Sequence, residues 1–136
     1  MSQPVTSGHL KHLHLAITTA VVIPIAFMYG FYPNVLFDLR PTTTDELNVY
    51  KAIMGLYIAF GGFWILGMLL PRFWQPATQS NMLFLFGLAA GRTLSMCVDG
   101  IPSVLFCLGT FGEYVLGFYA LYQLSRQPIH PDEKRH

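Results

Sequence analysis

Arg92, Asp99 and Glu113 stand inside the most apolar part of this chain, the segment Gly87 to Glu113, GLAAGRTLSMCVDGIPSVLFCLGTFGE. Ionisable groups in such a segment are rare, face one another or a polar pathway, and mark ion, proton or ligand sites. By helix rise, Arg92 sits about 10 Å deeper than Asp99, with Ser95 one turn away on the same face. Glu113 falls about 16 Å along a helix that begins at Pro102, near the middle of a bilayer. A lone charge at that depth costs about 2.5–3.5 kcal/mol on insertion scales. An inward-pointing Arg92 is therefore expected to pair with Glu113, with Asp99 and Lys51 extending the network outward. Three chemistries fit such a cluster: an ion pair that fixes helix register, a site for an anion, lipid headgroup or other small ligand, and proton-coupled transport through Glu113.

The elements that must position these groups are transmembrane helices. The 136 residues are 53% hydrophobic and only 11% charged, with a mean hydropathy of +0.45, whereas soluble domains carry about 25% charged residues. Four apolar stretches of roughly 17 to 23 residues are each long enough to cross a hydrocarbon core of about 30 Å as a helix. The expected architecture is all-α, a four-transmembrane-helix bundle running up-down-up-down. Residues 1–13 form an N-terminal cytoplasmic segment, 14–124 the membrane domain and 125–136 a polar tail. The expected spans are His14 to Phe31, a second up to Leu70 and stopped by Pro71, Asn81 to Val98, and Pro102 to Leu124.

Local signals refine this plan. Pro24 kinks the first helix and frees the carbonyl of Ala20, with Thr18 and Thr19 near enough to help satisfy it. Tyr29, Phe31 and Tyr32 form an interfacial aromatic band, and Pro33-Asn34 ends the helix. Thr43 followed by Glu46 reads as a capping box at the start of the second helix. Phe73 and Trp74 are expected to anchor a short second loop beside Arg72. Gly87, Gly91 and Ser95, and separately Gly109, Glu113 and Gly117, recur every four residues as small ridges for close helix packing. Lys51-Ala-Ile-Met-Gly55-Leu-Tyr57 can be laid over Glu113-Tyr-Val-Leu-Gly117-Phe-Tyr119, a faint parallel repeat. Lys11, Arg72, Arg126, Lys134 and Arg135 lie on one side against Arg40 on the other, which places both termini in the cytoplasm.

Other function classes find little support. A net charge of +1 offers no basic field for nucleic acid. His9, His12 and His14 sit at the start of the first helix without an acidic or cysteine partner nearby, so they read as interfacial residues and not as a metal site. Cys97 and Cys107 flank the third turn and read as ordinary core thiols in preference to a disulfide. The N-terminal apolar run continues without a clear small-x-small cleavage site before Gly30 and reads as a retained helix. No G-x-S-x-G, H-E-x-x-H, phosphate-loop or dinucleotide fingerprint occurs. Neither catalysis nor a cofactor is expected, and a lipid-directed enzyme using Glu113 or Asp99 as acid or base would lack a nucleophile or metal set.

Lys51-Ala-Ile-Met-Gly-Leu-Tyr57, then Gly91-Arg-Thr-Leu-Ser-Met-Cys-Val-Asp-Gly-Ile-Pro102, then Glu113, together resemble a bacterial family of short four-helix membrane proteins of unknown function. The resemblance runs from about Tyr29 to Leu124, and D-G-x-P is its most specific element. Lys51 stands where arginine is expected, and lysine cannot form arginine's bidentate anion clamp. The resemblance implies a four-helix fold in a bacterial inner membrane and no established activity. Small size, short loops and glycine ridges favour an accessory subunit of a larger membrane complex, in contact with lipids and with other membrane subunits or further copies of itself. The alternative is a self-contained binding or proton-coupled transport module built on Lys51, Arg92, Ser95, Asp99 and Glu113.

Overall fold

The structure, a computed structural model, describes residues 6–127. Its order is α1 (Thr6–Phe31), α2 (Pro33–Leu36), α3 (Thr44–Leu69), α4 (Pro71–Val98) and α5 (Val104–Ser125), with no strand among the described residues. All but α2 are long and apolar enough to cross a membrane. The chain divides into two compact units between Asn81 and Met82, so α4 belongs to both. Most of the expected polar tail, including Lys134 and Arg135, lies outside the described residues.

In the first unit α1 buries Leu15, Thr18, Thr19, Val22, Ala26 and Gly30, a stripe at helical spacing. α3 answers with Tyr57, Gly61, Trp64 and Gly67. The two helices approach closely because Gly30 and Gly61 carry no side chain, and Gly67 does the same for α3 against α4. A Cβ on Gly61 would lie 2.7 Å from Ile23 Cγ1, one on Gly30 would overlap Met54 Sδ, and one on Gly67 would overlap the Ala77 methyl of α4. Lipid tails are as apolar as leucine, so contact distance and interhelical hydrogen bonds hold such helices together. Trp64 supplies both: it is fully buried, and its Nε1 donates to Ser80 Oγ at 3.1 Å.

α1 ends at Phe31, just before Pro33, as expected, and Tyr29 packs in the connection. Its ring stacks on Phe37 at 4.7 Å and on Tyr50 at 6.3 Å, and meets Tyr57 edge-on at 6.0 Å. Asp38 adopts a φ of 48°, a left-handed conformation that aspartate tolerates better than most residues. Its 3.1 Å pair with Arg40 is highly exposed and contributes little to stability.

The capping box at α3 forms as read from the sequence. Thr43 Oγ1 accepts from the Glu46 amide at 3.2 Å, and Glu46 Oε2 accepts from the Thr43 amide at 2.9 Å. Thr43→Ala is expected to cost about 1 kcal/mol. Hydrogen exchange at the Glu46 and Leu47 amides should quicken while the middle of α3 stays protected.

Three helix starts differ from expectation. α1 begins at Thr6 instead of His14, so it carries all three N-terminal histidines. α4 begins at Pro71 instead of Asn81, with Leu70 alone separating it from α3. Phe73 and Trp74 therefore form its first turn and not a loop, and Trp74 is almost fully buried. Pro71 has no N–H to lose at a first helical position, so it starts a helix as readily as it stops the preceding one. At α5, Pro102 precedes the helix and Ser103 occupies the cap position.

In the second unit, Phe86 of α4 packs against α5. Its ring meets Phe118 edge-on at 5.1 Å, and a Cβ on Gly117 would come within 3.0 Å of it. Gly55, the counterpart of Gly117 in the proposed repeat, has open space around it. The two segments therefore use their glycines differently, and the repeat is not carried into packing. Gly100 has a φ of +109°, a backbone conformation open to glycine and strained for other residues. That requirement accounts for the glycine of the Asp99-Gly100-Ile101-Pro102 turn.

Candidate functional site: a buried ion pair and a polar seam

Arg92 projects from α4 and Glu113 from α5, and Nη1 lies 3.2 Å from Oε1, with the side chains 23% and 12% exposed. Gly109, one turn before Glu113, makes the approach possible. A Cβ there would sit 2.8 Å from Arg92 Nη1, so the guanidinium lies across a gap in the side-chain surface of α5. The same guanidinium stands 5.3 Å from the centre of the Phe106 ring, within cation–π range. Next to the pair, Thr93 Oγ1 and Tyr114 Oη are 3.0 Å apart, and the Thr93 hydroxyl also reaches the Ala89 carbonyl at 2.7 Å. Glu113 Oε2 is buried and has no hydrogen-bond partner. One carboxylate oxygen is thus committed to arginine, and the other retains its full capacity to accept.

Two further members of the expected network, Ser95 and Asp99, bond each other. Ser95 Oγ donates to Asp99 Oδ2 at 2.8 Å, and the Asp99 amide donates to the Ser95 carbonyl at 2.7 Å. Both residues are exposed and close the C-terminal end of α4 on itself. Lys51 is exposed on α3, in the first unit. The glycine ridges also divide. Gly109 and Gly117 admit Arg92 and Phe86, while Gly87 and Gly91 are exposed, with nothing within 4 Å of a built Cβ. Gly109→Leu is therefore expected to displace the guanidinium and lower thermal stability in detergent, whereas Gly87→Ala, at an open helical site, should leave the stability of the isolated chain unchanged or raise it by about 0.5–1 kcal/mol. Cys97 and Cys107 are both free thiols.

A second polar group lies between α1 and the first half of α4. His14, Thr78 and Asn81 are completely buried, and Thr18 nearly so. His14 Nε2 and Thr78 Oγ1 are 3.1 Å apart, and the imidazole meets the Trp74 ring edge-on at 6.4 Å. Trp74 Nε1 donates to the Lys11 carbonyl at 3.3 Å, and Lys11 Nζ stands 4.2 Å from the centre of that indole. The Thr18 hydroxyl donates to the His14 carbonyl at 2.7 Å, not to the carbonyl freed by Pro24. His14 is thus enclosed by the protein and does not project from the start of α1. Among the described residues no group of three metal-ligating side chains could hold an ion.

This seam was hidden in the sequence because PRFWQPATQSN, with two prolines and several polar residues, has the composition of a loop. The signal that could have exposed it is the spacing Trp74, Ala77, Thr78, Asn81 at i, i+3, i+4 and i+7, one helical face. That face is polar where it meets His14 of α1.

The described residues are helical, four of the helices are long and apolar enough to cross a membrane, and two of these share a largely enclosed ion pair, which together point to a multi-pass membrane protein. The chain belongs to a family described as a domain of unknown function, DUF4345, whose model matches residues 10–124. No curated protein and no solved structure matches it.

Proposed function

We propose that this protein is a non-catalytic subunit or partner of a larger membrane assembly in a bacterial inner membrane. In this reading it crosses the bilayer up-down-up-down, with both termini in the cytoplasm. The register of contacts supports the topology. Leu15 neighbours Gly67, Ile23 neighbours Gly61 and Met54 neighbours Gly30, while Phe86 meets Gly117 and Arg92 meets Glu113.

The observation that carries the assembly reading is how little of the helices the chain itself covers. Only 22% of the α3 span and 17% of each of the α4 and α5 spans is buried, against 44% of α1. The surface of α4 left open includes bare backbone at Gly87 and Gly91, which is where another helix packs most closely in lipid. Extraction from native membranes in mild detergent, followed by sizing and mass spectrometry of co-purifying proteins, tests this directly. Migration at fixed stoichiometry with a larger complex is the expected outcome, and a lone monomer in every gentle detergent would overturn it.

Glu113 Oε2 favours a second reading, a binding or proton-coupled transport module for a small ligand, anion or lipid headgroup at Arg92 and Glu113. Under it, Glu113→Gln keeps the fold and abolishes pH-dependent binding or transport in reconstituted vesicles. Unchanged transport or binding in that variant would remove this alternative.

A further inference from the structure

Asn81 is the least satisfied polar residue of the first unit. Its side chain is fully buried, and neither Oδ1 nor Nδ2 has a hydrogen-bond partner among the described residues. A buried carboxamide offers two donors and an acceptor, and buried polar groups of this kind are almost always met by protein or by ordered water. The register of α1 and α4 shows what lies opposite. The contacts Lys11–Trp74 and His14–Thr78 join residues 63 and 64 apart in sequence, and the same offset sets Asn81 level with Ile17 and Thr18. Thr18 is buried there with its proton committed to the His14 carbonyl, so its oxygen remains free to accept.

We propose that Asn81 and Thr18 form an internal water site between α1 and α4. The donor set selects the ligand. Asn81 requires a molecule that accepts from Nδ2 and donates to Oδ1, Thr18 can take a donated proton, and no carboxylate among these groups would hold a cation. A small neutral molecule with both donors and acceptors meets all of these requirements, and water is the smallest. Lys11, Trp74, His14 and Thr78 form a polar series leading to this level from the N-terminal end of α1. The site therefore adds a bridging molecule to the direct hydrogen bonds that already join α1 to α4. It is independent of the ion pair and of the assembly reading.

Water-edited solid-state NMR on the full chain in lipid bilayers tests this. Asn81 is one of three asparagines, and Asn34 and Asn48 are exposed, so loss of one side-chain amide signal in Asn81→Leu assigns it. Magnetisation from water is expected to reach the Asn81 amide several-fold faster than the backbone amides of Ala77 and Leu85, which share its helix and its burial. Build-up no faster than theirs overturns the proposal. Stability supplies an independent reading. Asn81→Leu is expected to lower the melting temperature, because it removes a satisfied bridge. A raised melting temperature would mean that the carboxamide was buried unsatisfied, and would overturn the site.

Discussion

Glu113→Leu is expected to destabilise the protein by about 3 kcal/mol, the lower end of the range for breaking a buried ion pair. The lower end applies because Arg92 keeps 23% of its side-chain surface exposed and can turn its head toward a more polar level. The loss is large because a guanidinium cannot discard its charge, and the replacement leaves it beside Phe106 with no counter-ion. Arg92→Met should cost less, since the remaining carboxylate can take up a proton. The double variant Arg92→Met/Glu113→Leu should recover most of the loss, because neither charge then has to be desolvated. Reversible unfolding of the four proteins in bilayers, treated as a double-mutant cycle, measures the coupling. If the double variant is no more stable than Glu113→Leu, the pair does not serve as architecture, and the free oxygen of Glu113 becomes the stronger guide to its use.

Trp64→Ala should have the other large effect, a loss of about 3 kcal/mol, the lower end of the range for buried aromatic truncations. In lipid the transfer term is small, since the displaced surface meets hydrocarbon in either state. The cost comes from the cavity left behind by a fully buried indole and from the broken bond to Ser80. Trp64→Phe separates these contributions. It keeps most of the volume and removes only the hydrogen bond, for which about 0.5–1.5 kcal/mol is typical. Equal losses for the two variants would show that the Ser80 bond, and not the volume, holds α3 to α4. The Phe variant should also preserve the protease resistance of the Leu70 junction, while the Ala variant loses it.

The sequence by itself determined the helical class, the C-terminal ends of the four long helices and the start of α3, because those features rest on local physics. Four apolar stretches of membrane length specify four helices, Pro33 ends the first, and Thr43 with Glu46 starts the third element through bonds made within four residues. The pairing of Arg92 with Glu113 was also legible, since charges in an apolar chain have few places to go and the helix rise limits which can meet. Tertiary structure decided the rest. Whether a glycine admits a neighbour depends on which helix faces it, so Gly109 and Gly117 are filled while Gly87 and Gly91 are open, though all four fit the same spacing. Ser95 and Asp99 bond each other because they end a helix one turn apart, a nearer option than any partner deeper in the span. The seam of His14, Thr18, Thr78 and Asn81 could not be weighed from composition. The same polar residues read as a solvated loop until α1 and α4 are brought face to face, where burial turns each unmet hydrogen bond into a constraint on what must bind there.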